Sequence, residues 1–254
     1  EGEWKNAKKQ GHGLQIFTSG FAYKGEFVNN LVHGQGEITY SDGAFFKGEF
    51  KDGQKHGQGK ITYADGSGYE GEYKYDKQSG KGIITYLNDY LRYEGDVLNG
   101  QKHGQGIGIW SDGTRHEGGW KDGKEHGQGK KTFLSGDVYD GQWQNGKMHG
   151  YGVYLYPDGT RFRGEWEYGK QSGQGLMINA DGSFHEGQYK NGKRNGQGIS
   201  RWPSGLSIEG IFKDGLPHGY IVVIWPSGNS YEGNFVNGYR NGQGVKVWTN
   251  GSRY

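Results

Sequence analysis

One glycine returns at a fixed interval from end to end of this chain. It stands at Gly2, Gly25, Gly48, Gly71, Gly95, Gly118, Gly141, Gly164, Gly187, Gly210 and Gly233, every interval being 23 residues except the 24 between Gly71 and Gly95. The exception is local: LNDYLR (Leu87 to Arg92) stands where other repeats carry Asp-Gly or a similar turn, which puts the extra residue in a connection. Other columns keep the same phase. Two residues after the glycine the side chain is aromatic in every repeat but the one with Val97, and fifteen after in every repeat but the one with Asn179. Such a period means a repeat architecture, in which each unit buries its apolar face only against its neighbours.

The unit is clearest in Tyr139 to Arg161, YDGQWQNGKMHGYGVYLYPDGTR. Asn145-Gly146 and Asp158-Gly159 are turn dipeptides, because glycine accepts the positive φ of tight turns. The segments between them are short, aromatic and β-branched, so the unit predicts strand, turn, strand, turn: one β-hairpin per repeat. Gly occurs 53 times and only 31% of residues are hydrophobic, yet 15% are aromatic. Regularly spaced rings argue against disorder, whose segments are aromatic-poor. With 254 residues and period-two alternation, the predicted fold class is all-β: an elongated single-layer antiparallel sheet of about eleven stacked hairpins, twisted into a trough. Two strands per repeat at about 4.8 Å each give roughly 10 Å per repeat, and a ribbon on the order of 100 Å. Rings on one face are expected to lie over glycine gaps of the neighbouring hairpin, giving the sheet a packed surface without a second layer.

Segments such as YEGEYK (Tyr69 to Lys74), FKDGQKHGQG (Phe50 to Gly59) and YPDGTRFRGEW (Tyr156 to Trp166) resemble the MORN repeat, the membrane occupation and recognition nexus. The resemblance covers essentially residues 1–254 as one continuous array. Departures are His116, His185 and Ile208 for the opening ring, Ile221 for a glycine, and Asn179 for a ring. The array opens at Glu1-Gly2 and closes at Tyr254, inside a repeat at both ends, so a portion of a longer protein is expected.

Little in the sequence points to catalysis or to a cofactor. There is no Cys, which removes disulfides and thiol chemistry. A net charge of +2 is too mild to suggest nucleic acid as a partner. His33, His56, His103, His126, His149 and His218 recur eight residues after the marker glycine, but about 10 Å apart they are too distant for one chain to close a metal site from them. They are expected to pack and hydrogen-bond within their own hairpins. Glu3, Glu26, Glu49 and Glu72 form a solvated lane with no cleft around it. Gly-x-Gly pairs such as Gly57-Gln58-Gly59 run into β-branched residues rather than a helix, so they are not phosphate loops.

Three surfaces are candidates for binding. The ring-lined face carries Trp110, Trp120, Trp143, Tyr156, Trp166, Trp202 and Trp225. A row of loop cations includes Lys124, Lys147, Lys170, Lys193 and Arg194, and an anionic membrane surface would attract it. On the face opposite the rings, twelve and fourteen residues after the marker, the first half is mostly charged or Thr. From Val153 onward Leu155, Leu176, Ile178, Ile199, Val222, Ile224, Val245 and Val247 make it aliphatic. This predicts an exposed apolar stripe for a protein partner or homodimer.

The resemblance implies a non-enzymatic scaffold, by likeness to radial spoke head proteins of cilia and to protist basal-body and cytoskeletal proteins. It places the chain in the cytoplasm, at the cytoskeleton, cilium or axoneme. The alternatives it implies are a peripheral membrane tether that binds phospholipid, as in junctophilins and plant phosphatidylinositol phosphate kinases, or the targeting region of a larger enzyme.

Overall fold

The structure, a computed structural model, describes residues 1–87 and 91–254; the middle of the LNDYLR connection lies outside the described residues. The expected hairpins are present as twenty-two strands, with no helix among the described residues. A typical repeat gives a seven-residue strand such as Val138–Gln144, a two-residue turn, and a nine-residue strand such as Lys147–Leu155. The chain forms two compact units, Glu1–Glu125 and His126–Tyr254. Within each, successive strands pair antiparallel, as in Ala22–Val28 with Leu31–Thr39 and Val138–Gln144 with Lys147–Leu155.

Turn chemistry sets the hairpins. Asn145 and Gly146 have φ of 51° and 79°, two successive positive values that define a primed turn whose twist matches the flanking strands. At the other end of the repeat the Tyr156 amide bonds the Thr160 carbonyl at 2.8 Å, and Asp158 Oδ1 accepts from the Thr160 amide at 2.8 Å. Asp158 thereby fixes the connection through its own side chain.

The register brings the glycines into a row. In the first unit Gly25 pairs with Gly36 and Gly36 with Gly48; in the second Gly141 pairs with Gly152 and Gly152 with Gly164. A Cβ on Gly36 would lie 2.5 Å from the Tyr23 ring, and one on Gly152 2.5 Å from that of Tyr139. The opening ring therefore covers glycines of its own hairpin. The ring two residues after the marker behaves as expected from sequence: Tyr189 reaches over Gly175 of the preceding hairpin. Edge-to-face contacts link both kinds, Tyr23 to Phe50 at 5.2 Å and Tyr139 to Trp166 at 5.3 Å. Each such contact contributes about 0.5–1.5 kcal/mol beyond area burial. The Tyr139 hydroxyl donates to the Gln142 carbonyl at 2.9 Å, beside the strand bulge that follows Gly141.

The glycine row breaks at Ile221, which is fully buried. In that repeat Ile208 replaces the covering ring, and the Ile221 side chain occupies the space over Gly210. Two substitutions thus compensate across one strand pair.

Candidate interaction face

The two faces of the strands differ in what they leave open. On the ring face Trp120, Trp143 and Trp166 are buried. The Trp143 and Trp166 indoles donate to the carbonyls of Gly129 and Gly152 at 2.9 and 3.3 Å. These three rings are core, which corrects the expectation that they line a binding surface. Trp110, Tyr156, Trp202 and Trp225 are half-buried along the same face.

The cation row also divides. Lys124, Lys147, Lys170 and Lys193 each open a strand just after a turn and are exposed. Arg194 does not belong with them. It is half-buried on the ring face, where it donates to Ser200 Oγ at 3.1 Å and lies over Phe212 at 5.9 Å.

Ser200 in turn meets Nδ1 of His185 at 2.8 Å. His185 occupies a slot filled by Tyr or Phe in most other repeats, edge-on to Tyr189 and Phe212 at 5.5 and 4.8 Å. Burial, helped by the Arg194 charge, pulls its pKa down to about 4, so the imidazole is neutral near pH 7.

The recurrent histidines differ from expectation. His33 and His103 lie 4.0 and 3.8 Å from Asp52 and Asp122, and the rings of His56 and His149 face Tyr75 and Tyr168. Each of these contacts reaches the turn of the next repeat rather than staying within one hairpin. Among the described residues no group of three or more His, Cys, Asp or Glu is placed to hold a metal ion.

On the opposite, outer face the aliphatic residues stand where alternation puts them. Val153, Leu176, Ile178, Ile199, Val222 and Val247 are half-buried, while Leu155, Ile224 and Val245 are exposed by 43%, 46% and 39%. They do not make one continuous apolar stripe. Antiparallel register interleaves them with the residue that precedes each marker glycine. One lane reads Val153, Arg163, Leu176, Glu186, Ile199, Glu209, Val222, Glu232, Val245. The next reads Leu155, Arg161, Ile178, Phe184, Arg201, Ser207, Ile224, Ser230, Val247. Ile211 and Tyr220 extend the apolar surface on the other side, both exposed, and the Tyr220 hydroxyl faces Glu232. An open groove of about 520 Å3 crosses the glycine row here, bounded by Asp140, Tyr151, Val153 and Leu155.

Sequence reasoning missed Glu186, Glu209 and Glu232. The signal was present: since each marker glycine pairs with the residue eleven on, Gly198, Ile221 or Gly244 in these repeats, the residue before the marker must face the one twelve after.

A scan against family models matches the MORN repeat in eleven tandem segments, from residues 1–21 to 231–253. No curated protein matches the sequence. Among solved structures, the TCP10 domain of Danio rerio CPAP in complex with a STIL peptide is similar at 10% identity and a TM-score of 0.43, over 96% of this chain and 97% of that one. The Drosophila melanogaster SAS-4 TCP domain in complex with a proline-rich motif of Ana2 is similar at 12% identity and a TM-score of 0.36, over 80% and 90%. Virginiamycin B lyase from Staphylococcus aureus is similar at 10% identity and a TM-score of 0.17, over 96% and 82%. Likeness at these scores transfers no property to the present protein. The family assignment rests on the eleven matched segments, which agree with the hairpins strand for strand: the chain belongs to the MORN-repeat family.

Proposed function

We propose that this protein is a non-enzymatic scaffold whose outer face, in the second unit, holds a protein segment. The observation that carries the reading is the set of half-exposed aliphatic side chains between Val153 and Val247, alternating with charged residues on a sheet face over which no layer packs among the described residues. Apolar side chains left in water cost about 25 cal/mol per Å2 relative to burial, so a face that repeats them beside charged residues offers a partner both apolar contact and charge. On the ring face Tyr139, Trp143, Phe162 and Trp166 are already buried against one another. The cytoskeletal or ciliary setting belongs to this proposal through the family resemblance.

A photo-crosslinking amino acid at position 199, between Leu176 and Val222 on the same lane, tests it in the source cell. Protein adducts are expected at that position, and Leu176→Glu/Val222→Glu should abolish them while leaving the circular dichroism spectrum and melting unchanged. An identical adduct pattern in the double variant would remove the outer face as the binding site.

A further inference from the structure

We infer that the segment held by this face is basic and apolar in alternation, with cationic side chains recurring about every 10 Å along its axis. The inference rests on the scaffold reading above and names the partner's chemistry. Glu186, Glu209 and Glu232 occupy alternate strands of one lane, with Ile199 and Val222 between them. Adjacent strands lie about 4.8 Å apart, so the carboxylates repeat at roughly 10 Å with an aliphatic side chain midway. All three glutamates are exposed, and among the described residues none stands in an ion pair within 4 Å. Arg201, the cation of the adjoining lane, lies diagonal to Glu186 and Glu209 without pairing with either.

The first unit shows what a saturated lane looks like. There Glu37 meets Lys47 at 2.9 Å, Glu70 meets Lys60 at 2.9 Å, and Glu117 meets Arg115 at 2.7 Å. Asp140 of the second unit still stands opposite Lys130, but Glu186, Glu209 and Glu232 face aliphatic residues instead and form no ion pair among the described residues, so they can take cations from outside.

A second copy of the chain is a poorer occupant. A two-fold axis at Glu209 would set Glu209 on Glu209 and Glu186 on Glu232, and like charges facing each other are destabilising. A partner laid across the strands matches the spacing with three residues per repeat in polyproline II, about 9 Å, or seven in an α-helix, about 10.5 Å. A β-strand does not, since its same-face residues recur at about 6.7 Å.

The test uses the full chain and fluorescent peptides: a Lys-Leu-Pro repeat, its Glu-Leu-Pro counterpart, an isomer with the lysines clustered at one end, and an amphipathic helix with Lys at every seventh position. Wild-type protein is expected to bind a periodic basic peptide in preference to both the acidic and the clustered one, less tightly as salt rises. Glu186→Lys/Glu209→Lys/Glu232→Lys should weaken that binding by about tenfold or more and favour the acidic peptide. Because the carboxylates are exposed and form no ion pair among the described residues, melting should shift little, the contact of the Tyr220 hydroxyl with Glu232 being given up; Glu209→Gln supplies a milder variant with a smaller loss.

Equal binding of basic and acidic peptides, or undiminished binding by the reversed variant, would overturn the inference. So would a dimer in light scattering that Leu176→Glu/Val222→Glu dissociates. If peptide discrimination fails while crosslinks at position 199 still depend on Leu176 and Val222, the partner's chemistry is wrong and the scaffold reading stands. If both fail, the scaffold reading falls as well.

Discussion

The ring faces of the two units follow one scheme, and their outer faces do not. Tyr23, Phe46 and Phe50 pack in the first unit as Tyr139, Phe162 and Trp166 do in the second, edge to face at 5.2–5.3 Å over the same glycine row. Outside, the first unit closes its charges on one another. From Glu186 onward the second unit sets aliphatic residues and acids that form no ion pair among the described residues in the same positions. A hairpin repeat needs only one face to specify its fold, so the other is free to vary. The difference between the outer faces therefore reports on what the protein touches, whereas the sameness of the inner ones reports on stability.

Equivalence of the ring faces implies equal losses when they are damaged. Phe46 and Phe162 are both fully buried, each against its own pair of hairpin glycines. Phe46→Ala and Phe162→Ala should each cost about 3–5 kcal/mol, because glycine neighbours have no side chains with which to fill the cavity. In a nearest-neighbour array the loss should stay local. It is measured as faster amide exchange in the strands that flank each site. A large cost at one position and a small one at the other would break the comparison.

His185 sharpens it through pH. With a folded pKa of about 4 against an ordinary value of 6.5, the folded state refuses a proton that the unfolded chain accepts. Stability from this group is complete above about pH 6.5 and declines as pH falls towards 4, by about 3 kcal/mol in all. The second unit should loosen around Phe184–Lys190 and Lys193–Arg201 over that window, seen as earlier exchange at Gly187 and Gly198. His185→Phe, which restores a ring without a titrating nitrogen, should flatten the dependence. Tyr23 and Tyr139 do not report in the same range, since burial pushes their phenols upward, Tyr23 to about 12.

Much of this was legible in the sequence. The hairpins, both turns and the alternation that sends Trp143 inward and Val153 outward follow from period and turn chemistry alone. What escaped depended on register across strands. The outer stripe looked continuous when one column of the repeat was followed, because Glu186 belongs to a different column and becomes a neighbour of Ile199 only through pairing. His33 was placed within its own hairpin because nothing local shows that the next turn, at Asp52, reaches it. The packing of rings over neighbouring glycines was expected, but that it buries Trp120 and Trp166 rather than leaving them to line a binding face depends on contacts between successive hairpins that no single repeat shows.

The recurrent glutamate lane holds the subtlest contrast, and the smallest expected effect. These side chains looked like solvated surface, but each accepts a backbone N–H across the bulge of its hairpin. Glu26 takes the Gln35 amide at 3.1 Å, Glu49 that of Gln58 at 3.1 Å, and Asp96 that of Gln105 at 2.8 Å. In the second unit the role passes to Gln142, Glu165 and Gln188, then lapses at Ile211 and Asn234. Asn234 is one methylene short, and nothing lies within 4 Å of a Cβ at Gly242, where the longer side chains rest in other repeats. Asn234→Glu should fill that space, accept the Gln243 amide and slow its exchange, stabilising the last hairpin by about 0.5–1.5 kcal/mol. Glu232 sits two residues away on the same face and repels a new carboxylate, so the gain should fall at the low end and rise with salt. Asn234→Gln keeps the acceptor without the charge, and should gain as much at low salt with no salt dependence. If neither variant protects the Gln243 amide, the lane is solvated surface after all, and the units differ there in sequence but not in stability.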